Sequence, residues 1–73
     1  MSALAEYRKR ANLTQGELAL AAGLTQGAIT HIESGRTSSP EIITLRKIAA
    51  ALIEHGVDCS VDDIFPPDQE QAA

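Results

Sequence analysis

Two short helices joined by a tight turn are the feature that most constrains how this chain can fold. Thr14 is followed three residues later by Glu17, which is the pattern of a capping box at the start of a helix. Gly23 then ends this helix, because glycine readily takes the left-handed conformation found at helix C-termini. Thr25 caps the next helix and Gly35 ends it. The sequence therefore predicts two capped helices in close succession.

The segment before this pair is predicted to form a helix of its own. It runs from about residue 3 to residue 11, with Ser2 as its N-cap and Asn12 at its end. One face of this helix is apolar at helical spacing and consists of Leu4, Tyr7 and Ala11.

A longer helix is predicted after the pair. Ser39 is its expected N-cap and Pro40 its first residue, because a missing N–H is harmless in the first turn. Gly56 is expected to end it. Its apolar positions follow the spacing i, i+3, i+4 and i+7, and they are Leu45, Ile48, Ala49 and Leu52.

A short fifth helix is predicted over residues 61–65. Ser60 is its expected cap, Asp63 follows three residues on, and Pro66-Pro67 ends it. No alternating strand pattern competes with these signals. They predict an all-α fold, a compact five-helix bundle in one domain of residues 1–66, followed by a short acidic polar tail of residues 67–73.

Charge is distributed unevenly along the chain. The net charge is −4, which by itself argues against a nucleic-acid partner. Residues 54–73 contain six acids and neither Lys nor Arg, whereas residues 1–53 contain six bases and four acids. The body of the chain is thus mildly basic. Charge alone favours an ordinary solvated surface with an acidic C-terminus.

The third helix carries the main functional signal. Projected at about 100° per residue, it turns Ile29 and Ile32 to one side. The opposite side, which we call the outer stripe, consists of Gly27, Thr30, His31 and Ser34. It contains no charged side chain, although Lys and Glu are usual on helix faces that only contact water. Small residues and short hydrogen-bonding side chains suit a helix in the major groove of DNA. A solvated face without a ligand is the alternative.

Two opposite charges occupy positions where apolar residues are expected. Glu33 lies about 40° from Ile29 on the helical projection, and Arg8 lies between Leu4 and Ala11 on the apolar face of the first helix. We therefore predict a partly buried ion pair between Arg8 and Glu33 that fixes the third helix against the first. Two independent surface charges are the alternative.

An ordered set of motifs runs through the predicted helices. It consists of Leu13-Thr14-Gln15-x-Glu17-Leu18-Ala19, Ala22-Gly23-Leu24-Thr25, Ile29-x-x-Ile32-Glu33-x-Gly35-Arg36, Pro40, Leu45, Ile48, Ala49, Leu52 and the segment from Ser60 to Phe65. In this order the motifs resemble the Cro/phage-repressor (xenobiotic-response-element type) family of helix-turn-helix transcriptional regulators. The resemblance covers about residues 4–65 and implies a lambda-repressor-like bundle whose second and third helices bind double-stranded DNA.

The resemblance, together with the capped helix starts, also implies roles for individual residues. The residues expected to contact bases are Gln26, Gly27, Ala28, Thr30 and His31. Those expected to contact phosphates are Gln15, Thr25, Ser34 and Arg36. Arg8 and Glu33 match the positions of an internal salt bridge of the family.

Two positions and one segment depart from the family pattern. Gly27 stands where the family often has a larger polar residue, so this position offers no side chain to read a base. Residues 53–59 lengthen the link between the fourth and fifth helices, where the family commonly builds its dimer surface. Glu41 stands where a base would help phosphate binding, which points to modest affinity.

A homodimer is expected, because one small domain contacts only a few base pairs. A two-fold dimer would place two recognition helices about 34 Å apart on a palindromic operator. The candidate interface residues are Ile53, Val57, Val61, Ile64 and Phe65. The last three are equally suited to closing the bundle.

Other function classes find little support. Cys59, His55 and His31 lack the spacing of metal ligands, and no nucleophile is placed to use His31 as a base, so no enzyme, metal site or cofactor is expected. The sequence shows no spanning segment or signal peptide, and the expected location is the cytoplasm. The main alternative function is a protein-interaction module, such as an antitoxin that binds a protein partner, because the acidic tail would suit that role.

Overall fold

Five α-helices make up the part of the chain that the computed structural model describes, which is residues 3–37 and 39–66. They are α1 (Leu4–Arg10), α2 (Gln15–Ala22), α3 (Gln26–Ser34), α4 (Ile42–Glu54) and α5 (Val61–Ile64), with no strand in these residues. The prediction of an all-α five-helix bundle is confirmed. The expected tail of residues 67–73 lies outside the described residues, so the domain boundary stays a prediction. None of the described helices is long and apolar enough to cross a bilayer.

The caps of α2 and α3 form as the sequence predicts. Oγ1 of Thr14 accepts a hydrogen bond from the Glu17 N–H at 3.0 Å, and Oε1 of Glu17 accepts one from the Thr14 N–H at 2.9 Å. Thr25 caps α3 by accepting from the Ala28 N–H at 3.2 Å. Gly23 ends α2 with a φ of 72°, a conformation that other residues rarely adopt. Local signals therefore fix the length and spacing of this helix pair.

The first helix is slightly shorter than predicted. It begins at Leu4, with Ala3 as N-cap and no side-chain cap bond, and the expected cap Ser2 lies outside the described residues. Asn12 follows its end with a φ of 62°, one of the few side chains that tolerate this conformation. The backbone N–H of Leu13 then donates to the carbonyl of Arg8 at 3.2 Å, which closes the helix end.

The predicted start of α4 is wrong. The N-cap is Glu41 in extended conformation, and the first helical residue is Ile42, so Ser39 and Pro40 lie before the helix rather than in its cap and first turn. Proline fixes φ at a value that suits both a first helical turn and extended chain, so the local signal is ambiguous. The predicted end is confirmed, because His55 is the C-cap and Gly56 follows with a φ of 90°.

The fifth helix ends one residue earlier than predicted, at Ile64. Its capping box is present: Oγ of Ser60 accepts from the Asp63 N–H at 3.2 Å, and Oδ2 of Asp63 accepts from the Ser60 N–H at 2.9 Å. The backbone N–H of Ala3 donates to the carbonyl of Ile64 at 2.9 Å, which ties the beginning of the bundle to its end.

Each helix supplies at least one large aliphatic side chain to the core. The largest fully buried side chains are Leu4, Leu18, Ile29, Ile48, Leu52 and Ile64. Burying a side chain of this size contributes about 1.5–3 kcal/mol. Packing of α2 on α3 and α4, of α4 on α5, and of α1 on α3 surrounds this core. The inner face of α3 is therefore fixed, and its opposite face is turned outward.

Candidate nucleic-acid interface

The outer stripe of α3 is accessible over most of its length. Ile29 and Ile32 are buried on the inner side of the helix. Three of the four residues of the outer stripe are exposed, and the fourth, Thr30, is half-buried. Gln26, at the start of the helix, is exposed, and Ala28 is half-buried. All five residues expected to contact bases thus retain surface on one helix.

An ion pair joins α1 to α3 behind this stripe. Nε of Arg8 donates to Oε2 of Glu33 at 2.6 Å, and Nη2 of Arg8 donates to Oε1 at 3.3 Å. The two side chains are only 15% and 9% exposed. Nη1 of Arg8 also donates to the carbonyl of Leu13, at 2.9 Å, just before α2. Because one guanidinium holds both the turn before α2 and a carboxylate of α3, it sets the position of the helix pair relative to α1.

Gln15 extends this network toward the outer stripe. Its Nε2 donates to Oε1 of Glu33 at 2.9 Å, and its Oε1 accepts from the hydroxyl of Thr30 at 3.0 Å. Sequence reasoning assigned Gln15 and Thr30 separately to phosphate and base contacts and missed the bonds between them. No spacing within one helix could reveal them, because the partners lie on two helices. The amide nitrogen of Gln15 carries two N–H groups, and the bond to Glu33 uses one of them.

The other expected phosphate contacts lie at the ends of α3. Thr25 uses an oxygen lone pair to cap the helix, so its hydroxyl proton can turn toward a phosphate. Ser34 is exposed and donates to the carbonyl of His31 at 3.3 Å, a long bond that water or a phosphate can replace. Arg36 is exposed just past the helix. These three side chains and Gln15 are donors in or near the outer stripe.

Gly27 leaves open space on this surface. A Cβ at this position would come no closer than 4.0 Å to its nearest neighbour, Oγ1 of Thr25, so the fold itself does not require glycine there. A Cβ at Gly16, in contrast, would meet Oε1 of Gln26 at 3.4 Å. The side chain of Gln26 therefore lies close to the start of α2.

Basic side chains lie on several elements of the body. Exposed bases besides Arg36 are Lys9, Arg10, Arg46 and Lys47. The guanidinium of Arg10 is stacked over the ring of Tyr7, 4.7 Å from its centroid. The body thus carries positive charge on α1, on α4 and after α3.

The segment of residues 53–66, which we call the acidic end, has the opposite character. It contains no Lys or Arg, and its exposed carboxylates belong to Glu54, Asp58, Asp62 and Asp63. This charge would repel phosphates. The acidic end is therefore unsuited to nucleic acid.

The expected dimer residues differ in how much surface they offer. Ile53 is 50% exposed, whereas Val57, Val61 and Phe65 are half-buried against the core. Ile64 is fully buried, so it closes the bundle and has no surface left for a partner. The structure therefore corrects the assignment of Ile64 to the dimer surface. The other four residues keep exposed area that a partner can contact.

Sequence reasoning overlooked three exposed aliphatic residues. Leu20 on α2 is 84% exposed, and Ile42 and Ile43 at the start of α4 are 54% and 59% exposed. For Ile43 the signal was present in the pattern, since it lies about 160° from Leu45 on the helical projection and faces away from the apolar stripe of α4. Ile42 lies three residues before Leu45 and shares its face, so its exposure could not be read from periodicity.

Cys59 lies in the link between α4 and α5 and is buried. Its burial first, and then the negative charges of Asp63 and Asp58, raise the pKa of the thiol above its ordinary value of 9.0. A thiol that keeps its proton is a poor nucleophile and a poor metal ligand. Among the described residues, no group of three or more His, Cys, Asp or Glu side chains is arranged to hold a metal ion.

Comparison with known proteins places this arrangement in a family. A family model described as helix-turn-helix matches residues 4–55, which include α1 to α4. An uncharacterized HTH-type transcriptional regulator of Methanothermobacter thermautotrophicus is 43% identical over 68 residues, which cover 92% of this chain and 90% of that protein. The uncharacterized HTH-type transcriptional regulator RghRB of Bacillus subtilis is 37% identical over 49 residues, covering 67% of this chain and 35% of that protein. No solved structure matched the chain.

Proposed function

The chain belongs to the Cro/C1-type helix-turn-helix family, and on that premise we propose that it is a sequence-specific, double-stranded-DNA-binding repressor or autoregulator of transcription. It binds a palindromic operator as a homodimer, and α3 reads bases in the major groove. Its place of action is the cytoplasm, on the chromosome. Binding involves no catalysis and no cofactor.

The accessible, carboxylate-free outer stripe is the observation that carries this proposal. A carboxylate there would face phosphates, whereas short donors and acceptors can approach base edges closely. The residues proposed to contact bases are Gln26, Gly27, Ala28, Thr30 and His31. Those proposed to hold phosphates are Gln15, Thr25, Ser34 and Arg36. Because phosphate contacts release counterions, affinity should fall steeply with salt.

The proposed dimer rests on the aliphatic and aromatic side chains of the acidic end that keep exposed surface. Ile53 is half-exposed in the protomer, and Val57, Val61 and Phe65 each keep part of their surface. An isologous contact between two such surfaces would bury them in both copies. It would also direct the carboxylates of the acidic end away from DNA.

A fluorescence-anisotropy titration tests DNA binding. An operator is first selected from random duplexes, and its affinity is compared with that of a scrambled duplex of the same composition over a salt series. Selective binding with a steep salt dependence is expected. Flat, negligible binding to every duplex would contradict the proposal and favour the protein-interaction module, such as an antitoxin.

The oligomeric state and the direction of regulation need their own measurements. Sedimentation over a dilution series, with and without operator, is expected to show a dimer, and monomer alone in both conditions would contradict it. Transcription in vitro from a promoter that carries the operator is expected to fall when the protein is added. A rise would identify an activator instead.

A further inference from the structure

The network behind the outer stripe fixes the orientation of one side-chain amide. The carboxylate of Glu33 can only accept hydrogen bonds, and the two donors that approach it are the guanidinium of Arg8 and Nε2 of Gln15. The amide of Gln15 therefore turns its NH₂ group toward Glu33. Its oxygen must then face the other way, toward Thr30.

That orientation in turn determines which group donates in the hydrogen bond between Thr30 and Gln15. Oε1 of Gln15 has no proton, and it lies 3.0 Å from Oγ1 of Thr30, so Thr30 must be the donor in this bond. A hydroxyl has a single proton. Thr30 therefore keeps only oxygen lone pairs for any further partner.

From this chain of bonds we propose that Thr30 reads DNA as an acceptor only. It takes a hydrogen bond from the exocyclic amino group of adenine or cytosine and discriminates against guanine and thymine on the strand it contacts. In the major groove the N6 group of adenine and the N4 group of cytosine are donors, whereas N7 and O6 of guanine and O4 of thymine are acceptors. This inference rests on the proposed function of α3 and specifies what one of its positions selects.

The selectivity comes from residues that do not touch the base. An unconstrained threonine hydroxyl can rotate and serve donors and acceptors alike. Releasing the proton of Thr30 would leave Oε1 of Gln15 without its partner in a part-buried site, which is unfavourable. Gln15 and Glu33 are thus positioning residues for specificity, with Arg8 holding Glu33 in place.

Ser34, on the same helix, has a hydroxyl whose hydrogen bond can be compared with that of Thr30. Its hydroxyl also donates within the protein, but to the carbonyl of His31 at 3.3 Å in an exposed position. Water can replace that bond at little cost. Ser34 is therefore free to change partners, whereas Thr30 is held.

Deletion of single amino groups from the DNA tests the proposal. In the operator selected by the wild-type protein, each adenine is replaced singly by purine and each cytosine by the analogue without the 4-amino group, and affinities are measured by anisotropy. At one base pair per half-site, deleting the amino group should lower the operator affinity of the wild type by about 3- to 10-fold. The same deletion should not lower the operator affinity of the Thr30→Val variant. Thr30→Val keeps the shape of the side chain and removes only the hydroxyl, and circular dichroism checks its fold.

Replacing purines by their 7-deaza analogues supplies the matched DNA control. This change deletes an acceptor, so any loss should be the same in the wild type and in Thr30→Val. The proposal is overturned if every amino-deletion penalty persists in Thr30→Val, or if a 7-deaza penalty disappears in it.

A second variant tests the positioning residues. Glu33→Gln can turn its own NH₂ toward Gln15, which removes the reason for the fixed orientation. Thr30 can then donate as well as accept, so the preference for adenine or cytosine over guanine or thymine at that base pair should weaken. Glu54→Gln makes the same charge change at an exposed residue of α4 and should keep the wild-type pattern. Identical base preferences in both variants would overturn the role of Glu33.

The two proposals fail in different ways. If no duplex is selected at all, the proposed function is wrong, and the inference about Thr30 is wrong as well. If an operator is selected but the variants leave the base preferences unchanged, only the inference about Thr30 is wrong.

Discussion

Two helices of this protein, α2 and α5, begin with the same capping box but present different chemistry to a partner. In α2 the box of Thr14 and Glu17 encloses Gln15, the first residue of the helix, whose amide is held by Glu33 and Thr30. In α5 the corresponding first turn carries Asp62 and Asp63.

The local motif therefore fixes where each helix starts but not what the helix does. Each first turn contains the carboxylate of its capping box, but α5 adds a second one, Asp62, whose negative charge would repel a phosphate. Around α2 and α3 the polar side chains are held in position before any partner arrives, which lowers the entropy lost on binding. The acidic end instead offers a half-exposed Ile53 among carboxylates, which suits a protein contact.

The largest effect is expected when the support of α2 and α3 is removed. Arg8→Ala leaves the carboxylate of Glu33 without its charge partner in a part-buried site. We expect the free energy of unfolding in urea to fall by about 2–4 kcal/mol, and operator affinity to fall as well.

Arg10→Ala is the matched control for this change. It removes the same type of side chain from an exposed position of α1, where it stacks on Tyr7, and it should cost about 1 kcal/mol or less. If Arg8→Ala alters neither stability nor affinity, the ion pair does not position α3.

The acidic end can be tested at its exposed aliphatic residue. Ile53→Glu places a charge on the proposed dimer surface, and because the contact is isologous the charge appears twice. We expect the dimer to weaken by at least about tenfold in sedimentation, with little change in the unfolding of the protomer.

Ile43→Glu is the control at the other end of the same helix, where the exposure is similar. It should leave the dimer intact. If it dissociates the dimer and Ile53→Glu does not, the dimer surface lies at the start of α4 and the proposed location is wrong.

Arg36→Ala separates phosphate binding from base reading. We expect affinity to fall by about 3- to 10-fold on the operator and on random duplexes alike, and the slope of log affinity against log salt to decrease by about 1. Arg36→Lys retains the charge and should keep most of that slope. A loss confined to the operator would mean that Arg36 reads bases.

Gly27→Ala should move stability and binding in opposite directions. The added methyl meets open space in the protein, so helix propensity should stabilise the fold by about 0.5 kcal/mol. If DNA approaches the outer stripe as closely as proposed, operator affinity should fall severalfold at the same time. Ala50→Gly, at an exposed position of α4, reverses the change and should lower stability without affecting affinity. An unchanged affinity in Gly27→Ala would place the DNA farther from this residue.

The smallest effect concerns the buried thiol of the acidic end. Because the pKa of Cys59 is raised in the folded protein, its contribution to stability is complete below the ordinary value of 9.0 and is lost as the pH rises through the raised value. In urea unfolding between pH 8 and pH 10.5, the wild type should therefore lose more stability than Cys59→Ala. Parallel profiles would show that the carboxylates of Asp58 and Asp63 and the burial of the thiol have no effect on its ionisation.

Much of the fold was predictable because its signals are local. The capping boxes at Thr14 and Ser60 and the glycine end of α2 each depend on residues within one turn of one another. The ion pair of Arg8 and Glu33 was predicted too, since each charge interrupts an apolar face. The start of α4 was not, because Pro40 fits extended chain and a first helical turn equally well.

By itself, then, the sequence determined the number and order of the helices, the two residues that join α1 to α3, and the absence of charge on the outer stripe. Only the tertiary structure decided that Ile64 closes the core and that Gln15 links Glu33 to Thr30. Helix periodicity shows which residues share a face, but it carries no information on which side chains of another helix will meet them. The direction of the Thr30 hydroxyl follows from three contacts between helices: Arg8 with Glu33, Glu33 with Gln15, and Gln15 with Thr30. It can therefore be determined only when α1, α2 and α3 are packed together.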